Sequence, residues 1–270
     1  MFHVECGSGI PVLAIHGWMP DHRLMRGCLE PVFARRNGYR RLYPDLPGMG
    51  QSSAQGIASA DDLLAAVEEF IDIHIGTDRF LVVGESYGAY LARGLVRSRG
   101  DQIAGLAMIA PVAEPRPDRR VLPALEVLRT EPGVLDGLDA RLQESFTLLA
   151  VVHTAEVLRR FLDEVQPGLD AADAEALARI GQRWLLSRDP DAPGQEPFLG
   201  PSLTLVGRQD VAVGYQDQWR LLTRYPRMSL AALDMAGHNL QIEQPQLFEA
   251  LMLEWLDRVA AHHPGGPQVT

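Results

Sequence analysis

A serine flanked by glycines at residues 84–88 is the strongest chemical signal in the sequence. The pentapeptide reads G-E-S-Y-G, with Ser86 at its centre, and it lies between an apolar run and a helical pattern. This order predicts a strained strand-to-helix turn that exposes the hydroxyl at a helix N-terminus, where negative charge is favoured. A serine hydroxyl is a weak nucleophile and needs a base within hydrogen-bonding reach. The pattern therefore predicts covalent catalysis by Ser86, provided that the fold brings such a base to it.

A histidine and an aspartate follow the last two predicted strands. His238 lies in A-G-H-N, residues 236–239, just after the last strand, and Asp210 directly follows the preceding strand. An imidazole can take the serine proton, and a carboxylate can hold that imidazole in the required tautomer and stabilise its positive form. Asp234 is the rival acid, but it lies only four residues before His238, within the end of a strand. We therefore predict Ser86, His238 and Asp210 as the catalytic residues.

Two backbone N–H groups are predicted to stabilise the oxyanion that forms when a carbonyl is attacked. The turn I-H-G-W, residues 15–18, ends an early strand and offers the N–H of Trp18. The second donor is the N–H of Tyr87, the residue after the nucleophile. Loss of one such donor can cost about 2.7–4 kcal/mol. We interpret His16, in the same turn, as a turn-stabilising side chain and not as a base.

Short apolar runs bounded by glycine and proline alternate with longer amphipathic stretches in residues 1–110 and again after residue 200. This alternation predicts an α/β fold with a mostly parallel sheet covered by helices. The predicted strands are Phe2–Cys6, Val12–Ile15, Arg40–Tyr43, Phe80–Val83, Leu106–Ile109, Ser202–Val206 and Leu230–Leu233. The predicted helices include Asp61–Ile75, Tyr87–Arg99 and Gln246–Ala261.

The middle of the chain, Val112–Phe198, has a different character. Its edges are rich in proline, and its apolar residues recur at helical spacing in residues 121–128, 142–152, 157–165 and 174–186. We interpret this stretch as a cap made of helices only, inserted into a core formed by residues 1–111 and 199–270.

The cap is expected to help form the substrate pocket, because such pockets are mainly apolar with a few polar groups for orientation. The candidate lining residues are Trp18, Phe146, Leu149, Phe161 and Trp184. For the four cap residues the alternative is packing of the cap helices against one another. An arginine cluster at residues 116, 119 and 120 could meet a substrate carboxylate, although a solvated hinge is the favoured interpretation.

Composition restricts the kinds of partner. The 270 residues are 46% hydrophobic and 22% charged, as in a globular protein with one large core. A net charge of −10 repels polyphosphate and anionic lipid, so we expect a small-molecule substrate and neither nucleic acid nor a membrane as partner. The sequence shows no signal-peptide pattern, no span of roughly 20 apolar residues and only two cysteines, which favours a cytoplasmic protein. A homo-oligomer is left open.

Taken together, these motifs resemble the α/β-hydrolase superfamily over nearly the full length of the chain. The matching segments are H-G at 16–17, D-L-P-G-M-G-Q-S at 45–52, G-E-S-Y-G at 84–88, G-R-Q-D at 207–210 and G-H at 237–238. The resemblance implies a doubly wound, mostly parallel sheet with a helical cap, a serine nucleophile, and no cofactor or metal. It also implies a structural role for Asp45 in a loop near the site. Only one strand precedes the H-G strand, so we expect fewer than the usual eight strands.

Within that superfamily, residue identities separate several activities. Ser86 disfavours the epoxide hydrolases and haloalkane dehalogenases, which attack with aspartate, and Asn239 replaces the tryptophan that many carbon–carbon bond hydrolases carry. The expected function is a serine hydrolase that acts on a small ester, thioester or related carbonyl substrate through an acyl-enzyme. An acyltransferase, a carbon–carbon bond hydrolase and a non-catalytic ligand-binding protein remain the alternatives, and a haloperoxidase side activity is not excluded.

Overall fold

A seven-stranded sheet forms the centre of the molecule in the computed structural model, which describes residues 1–262. The strands, in chain order, are β1 His3–Gly7, β2 Ile10–Ile15, β3 Tyr39–Pro44, β4 Phe80–Glu85, β5 Ile103–Ile109, β6 Arg129–Thr130, β7 Val152–His153, β8 Ser202–Gly207 and β9 Met228–Leu233. The main sheet has the order β1-β3-β2-β4-β5-β8-β9, and β6 pairs with β7 in a separate small sheet. In the main sheet only β1 runs antiparallel to its neighbour.

Helices cover both faces of the sheet, as expected for strands that are buried on both sides. They are α1 His22–Phe33, α2 Ala60–His74, α3 Tyr87–Arg99, α4 Ala140–Thr147, α5 Ala155–Glu164, α6 Gln166–Ala171, α7 Ala174–Gly181, α8 Leu240–Glu243 and α9 Pro245–His262. Several begin at a side-chain cap; the side chain of Ser59, for example, accepts the N–H of Asp62 at the start of α2. Across residues 1–262, no helix is both long and apolar enough to cross a membrane.

Buried apolar side chains form two clusters. The larger one fills the space between the main sheet and its helices, and it includes every residue of β4 that is apolar. The smaller one lies within the inserted segment, around Phe146, Val151 and Phe161. Leu24 of α1 and Ile242 of α8 also belong to the smaller cluster, so the insertion is packed onto the rest of the molecule and not merely linked to it.

The α/β architecture with a mostly parallel sheet is confirmed, as is the expectation of fewer than eight strands. All seven predicted strands are present; β1 is shifted by one residue, and the other six are extended by one to three residues at one or both ends. The periodic, continuous apolar runs of a parallel sheet explain this success. Helices α1 and α6 were not among the predicted ones, and both contain proline and glycine.

The expectation of helices only in the insertion is wrong, because the insertion also contains β6 and β7. Residues 121–128 are extended and not helical. Pro123 lies inside this stretch, and proline cannot donate an N–H to a helix. The backbone bonds elsewhere: the N–H of Val121 donates to Asp217 and that of Leu128 to the carbonyl of Val151. The other three predicted helical stretches overlap helices α4, α5 and α7. Helices α4 and α7 are shorter than the predicted stretches 142–152 and 174–186.

Candidate active site

Ser86 occupies the turn between β4 and α3 in a strained backbone conformation, with φ of +50°. The turn is fixed to the neighbouring strand, since the N–H of Ser86 donates to the carbonyl of Ile109 at 2.8 Å. Glycine is required on both sides of it. A Cβ at Gly84 would lie 2.6 Å from the Cα of Ala89, and one at Gly88 would lie 2.3 Å from the carbonyl oxygen of Ile15. The two glycines therefore allow the sharp corner that holds the hydroxyl above the sheet.

A continuous hydrogen-bonded chain links the three residues predicted to be catalytic. Ser86 Oγ lies 3.0 Å from Nε2 of His238, and Nδ1 of His238 lies 2.9 Å from Oδ2 of Asp210. They meet because β4, β8 and β9 run in the same direction and end at the same edge of the sheet. With Nδ1–H donating to the carboxylate, Nε2 is free to accept the serine proton.

Asp210 is fully buried and held in place by backbone donors. Its Oδ1 accepts the N–H groups of Ala212 at 2.8 Å and Val213 at 3.0 Å, which leaves Oδ2 for the imidazole. The rival acid, Asp234, instead accepts a hydrogen bond from Gln209 at 2.9 Å and has no contact with His238. The geometry thus favours Asp210 as the partner of the histidine.

A second carboxylate, which sequence reasoning missed, faces the same imidazole. Oε1 of Glu85 lies 3.4 Å from Nε2 of His238, and the backbone N–H of Gly17 also faces this carboxylate and acts to lower its pKa against the larger effect of burial. Glu85 is only 1% exposed although it directly precedes the nucleophile. The only sequence signal was its place inside the G-E-S-Y-G motif, because nothing in the sequence shows which way its side chain points.

The pKa values of His238 and Glu85 are both shifted. Burial lowers the pKa of His238, but the charge and hydrogen bond of Asp210, together with the charge of Glu85, outweigh that effect and raise it to about 9. Burial raises the pKa of Glu85 to about 7, opposed by the positive charge of His238. Titratable groups with shifted pKa values in a covered cleft are typical of a catalytic site.

The two predicted oxyanion donors flank the serine. Trp18 follows β2, the strand beside β4, and a Cβ at Gly17 would lie 2.9 Å from the Cβ of Ser86. Tyr87 is the first residue of α3, where backbone N–H groups have no acceptor within the helix. Neither N–H has a hydrogen-bond acceptor in residues 1–262. The structure therefore places both residues next to the nucleophile, and stabilisation of an oxyanion by their N–H groups stays a prediction.

Three aromatic rings form a wall beside this corner. The ring of Trp184 lies 4.9 Å from that of Trp18 and 4.1 Å from that of Tyr87, measured between centroids. The Trp184 indole donates to the carbonyl of Pro115, and the Tyr87 hydroxyl donates to the carbonyl of Trp184. A cavity of about 420 Å³ adjoins Trp184 and is lined also by Pro115–Asp118, Arg120, Gly181 and Leu185.

The other candidate lining residues have different surroundings. Phe146 and Phe161 pack against each other in the smaller core, with ring centroids 5.4 Å apart and side chains 1% and 4% exposed. Leu149 is half-buried, and its carbonyl oxygen would lie 2.4 Å from a Cβ at Gly237, the residue before His238. The structure thus brings Leu149 to the histidine loop and places the two phenylalanines inside the cap.

The remaining polar residues singled out by the motifs make structural contacts. His16 Nε2 accepts the N–H of Leu46 at 2.9 Å, which joins two loops below the site. Arg120 donates to the carbonyls of Glu114 and Ala212, both at 2.9 Å, while residues 116 and 119 are exposed. This pattern fits a hinge that is fastened to the Asp210 loop.

Asp45 is buried beside His22 and Asp21, a set of side chains of the kind that can hold a metal ion. The oxygens of Asp45, however, already accept the N–H groups of His22 and Gln51 and a hydrogen bond from the His22 ring. The carboxylate of Asp21 likewise caps α1 and pairs with Arg23. These contacts give the cluster a structural role in the loop of residues 45–52.

The chain belongs to the alpha/beta hydrolase family, whose model matches residues 12–251. It is 26% identical to haloalkane dehalogenase 2 of Mycobacterium tuberculosis, over 93% of this chain and 90% of that protein. It is 28% identical to the 2-succinyl-6-hydroxy-2,4-cyclohexadiene-1-carboxylate synthase of Serratia proteamaculans, over 90% of this chain and 91% of that protein.

A solved structure of an alpha/beta superfamily hydrolase from Oenococcus oeni superposes with a TM-score of 0.89 and 26% identity, over 95% of both chains. The related proteins, all at low identity, have names that cover several activities, among them a dehalogenase, a synthase and a hydrolase.

Proposed function

We propose that the protein is a serine hydrolase that cleaves a small ester, thioester or related carbonyl substrate through a covalent acyl-enzyme. The observation that carries the proposal is the hydrogen-bonded chain from Ser86 Oγ through His238 to Asp210, with distances of 3.0 and 2.9 Å. Membership of the family supports it, because a serine at the strand-to-helix turn with this triad is an acyl-transfer arrangement.

The geometry leads to a two-step reaction. Ser86 Oγ attacks the carbonyl carbon as Nε2 of His238 takes the hydroxyl proton, and the N–H groups of Trp18 and Tyr87 stabilise the oxyanion. The imidazolium then gives its proton to the leaving group, and an acyl group remains on Ser86. Water, deprotonated by His238, releases the acid and regenerates the hydroxyl. Asp210 keeps its negative charge throughout and stabilises the imidazolium.

A small substrate is favoured by how closely the site is covered. Ser86 is only 7% exposed, and the side chain of His238 is 12% exposed. The aromatic wall of Trp18, Tyr87 and Trp184 restricts the space on one side of the nucleophile. Apolar walls of this kind exclude water and bind uncharged carbon chains.

Attack by serine also separates this chain from the dehalogenase that it resembles in sequence. Haloalkane dehalogenases of this fold attack the carbon of the haloalkane with the carboxylate of an aspartate at the turn, which gives an ester intermediate. A serine has no carboxylate, so it cannot form that ester from a haloalkane. We therefore assign ester-type chemistry to the site in spite of the name of that relative.

Pre-steady-state hydrolysis of 4-nitrophenyl acetate tests the proposal. An acyl-enzyme whose hydrolysis is slow produces a burst of one 4-nitrophenolate per active site, followed by a slower steady rate. Ser86→Ala should remove both phases and lower kcat by around 10⁶, because the hydroxyl is the covalent nucleophile. Near-normal turnover by a pure, folded Ser86→Ala protein would rule the mechanism out. Adding methanol to the wild-type reaction separates hydrolysis from acyl transfer, since a transferase would yield mainly methyl acetate.

A further inference from the structure

Glu243 is a buried carboxylate that lies between the cap and the loop carrying His238. It is the last residue of α8 and is 6% exposed. Its Oε1 accepts the N–H groups of Val151 at 2.7 Å and Val152 at 3.0 Å, which belong to the inserted segment. Its Oε2 accepts the N–H of Gly237 at 2.5 Å, directly before His238. One side chain therefore satisfies three buried backbone donors from two segments that are distant in sequence.

The two segments are in direct contact where this carboxylate lies. A Cβ on Gly237 would be 2.4 Å from the carbonyl oxygen of Leu149 and 3.3 Å from Oε2 of Glu243. Glycine is therefore required before the histidine, because the cap backbone occupies the space of a side chain. The position of Gly237, and with it the direction of the next residue, depends on where residues 149–152 lie.

Neighbouring residues strengthen the same connection. Ile242 packs into the smaller, cap-centred core, and Met235 packs against it. The guanidinium of Arg160, on α5, donates to the carbonyl of Gln241 at 2.9 Å and pairs with Glu164. Three consecutive residues of α8, 241–243, thus contact the cap, one by a backbone bond, one by apolar packing and one by its carboxylate.

The connection continues through the cap to the loop of Asp210. The carbonyl of Val151 accepts the N–H of Leu128, at the end of the extended segment 121–128. At the other end of that segment, Arg120 donates to the carbonyl of Ala212, two residues after Asp210. The cap therefore touches the loops of both residues that activate Ser86, and Glu243 forms the hydrogen bonds on the histidine side.

We propose that Glu243 is a positioning residue that ties the cap to the histidine loop, so that the pocket wall and the catalytic base are set in place together. The inference rests on the proposed serine hydrolase function. Glu243 does not contact Ser86 or the imidazole, and its effect on the reaction passes through the N–H of Gly237 on one side and those of Val151 and Val152 on the other.

Glu243→Gln tests this role with little change in shape. The amide keeps one oxygen as an acceptor, but its nitrogen cannot accept an N–H, so either the cap or Gly237 loses its partner. Glu249→Gln, on the following helix α9, is the matched control, because it makes the same chemical change at a half-buried position outside the site. Each variant is titrated with a fluorophosphonate, so that rates are expressed per reactive serine.

The expected result is a loss of two properties at once in Glu243→Gln. Because small misplacements of a base can cost on the order of 10²-fold, kcat per titrated site should fall by about that factor for 4-nitrophenyl acetate. The differences in kcat/KM among 4-nitrophenyl esters from acetate to octanoate should become smaller than in the wild type. Glu249→Gln should match the wild type. A purely structural role would lower the titratable fraction but leave kcat per site and the acyl preference unchanged, which would overturn the proposal.

Amide hydrogen exchange tests the tie without relying on activity. In Glu243→Gln, at least one of the two peptides covering residues 149–153 and 235–239 should exchange faster than in the wild type, while β4 stays protected. Unchanged exchange in both peptides would contradict a shared carboxylate. If Glu243→Gln does not fold, the wild type decides: the N–H groups of Val151, Val152 and Gly237 should exchange as slowly as those of β4, and loop-like exchange would overturn the proposal. If the wild type hydrolyses no ester, the proposed function fails, and the exchange pattern alone decides on the tie.

Discussion

The imidazole of His238 contacts two carboxylates whose surroundings give them different roles. Asp210 meets Nδ1 and is held by two backbone N–H groups, so it can fix the tautomer and the direction of the ring. Glu85 faces Nε2, the atom that also contacts Ser86, and its side chain is almost completely buried. Asp210 is therefore suited to orienting the base and contributes most to its raised pKa, and the charge of Glu85 adds to that rise.

Asp210→Asn should keep the fold and lose most of the activity. The amide would favour the wrong imidazole tautomer, and the analogous change in serine proteases costs about 10⁴ in kcat. Steady-state hydrolysis of 4-nitrophenyl acetate measures the loss. Asp234→Asn, an exposed carboxylate bonded to Gln209, serves as the control and should remain active. The opposite ranking of the two variants would reassign the acid.

Glu85→Gln should shift the pH dependence of kcat/KM toward lower pH. The base acts only when neutral, so kcat/KM rises with pH through the pKa of His238, which is raised to about 9. The negative charge of Glu85 favours the imidazolium, so its removal should lower the pH midpoint of kcat/KM. The measurement is a kcat/KM profile from pH 6 to 10 for both proteins. A midpoint that stays in place or moves upward would contradict this role.

The proximity of Ser86, His238 and Asp210 could be predicted from the sequence because each residue lies in the loop after a strand whose apolar run is easy to recognise. Glu85 and Glu243 could not. A glutamate in a sequence is most often solvated, and its burial depends on contacts formed by distant segments, such as the cap residues that bond to Glu243. The same holds for Phe146 and Phe161, whose sequence pattern is equally compatible with a pocket wall and with the cap core in which they lie.

At the scale of the elements, the molecule divides its apolar packing between the main sheet and the cap. Most of the cap cluster comes from residues 146–165, whereas Leu177, Ile180 and Leu186 of the inserted segment pack in the main core. The last part of the insertion is therefore integral to the sheet domain. Local opening of the cap should involve the part around α4 and α5 and leave α7 in place.

Phe161→Ala should destabilise that part of the cap more than the sheet. A buried Phe→Ala change typically costs about 3–5 kcal/mol, and Phe161 packs against Phe146 in a cluster separate from the main core. Hydrogen exchange should then show faster exchange in α4 and α5 while β4 and β5 remain protected. Ile73→Ala, at a position 68% exposed on α2, is the control. Uniform loss of protection across the sheet would show that the two clusters unfold as one unit.

The strands of the main sheet were easier to predict from the sequence than the helices of the cap. Buried parallel strands require continuous apolar runs, and all seven were found. Residues 121–128 have apolar side chains at helical spacing, but Val121, Leu122, Leu125 and Val127 are exposed, so no core contact supports a helix there. The helical spacing of apolar residues in 121–128 was therefore not enough to form a helix, because these side chains have no apolar surface to pack against.

For the whole molecule, three buried groups near the site make stability depend on pH. Burial raises the pKa values of Glu85 and Glu243 to about 7, and Asp210 raises that of His238 to about 9 against the effect of burial. Each group therefore binds its proton more tightly in the folded state than in the unfolded chain. The resulting stabilisation is complete at a pH below the pKa values that these groups have in the unfolded chain. It is lost as the pH rises through the higher pKa values that they have in the folded protein.

The contribution of these three groups to the free energy of unfolding should therefore fall as the pH rises from about 4.5, where glutamate titrates in the unfolded chain, to about 9, where His238 titrates in the folded protein. Calorimetric Tm values across this range measure the trend. Glu85→Gln should flatten the part near pH 7, since the amide does not titrate. A Tm that rises steadily to pH 9.5 would show that these groups do not have raised pKa values in the folded protein.

Reaction with a fluorophosphonate, followed by intact mass measurement and peptide mapping, tests most directly whether Ser86 is an activated nucleophile. The geometry predicts one phosphonyl adduct per chain, located on Ser86, with loss of fluoride and of the serine proton. Ser86→Ala should remain unlabelled, and His238→Ala should be labelled far more slowly because its base is absent. A folded wild-type protein that gains no adduct, or one that is modified elsewhere while Ser86 stays free, would contradict the proposed mechanism.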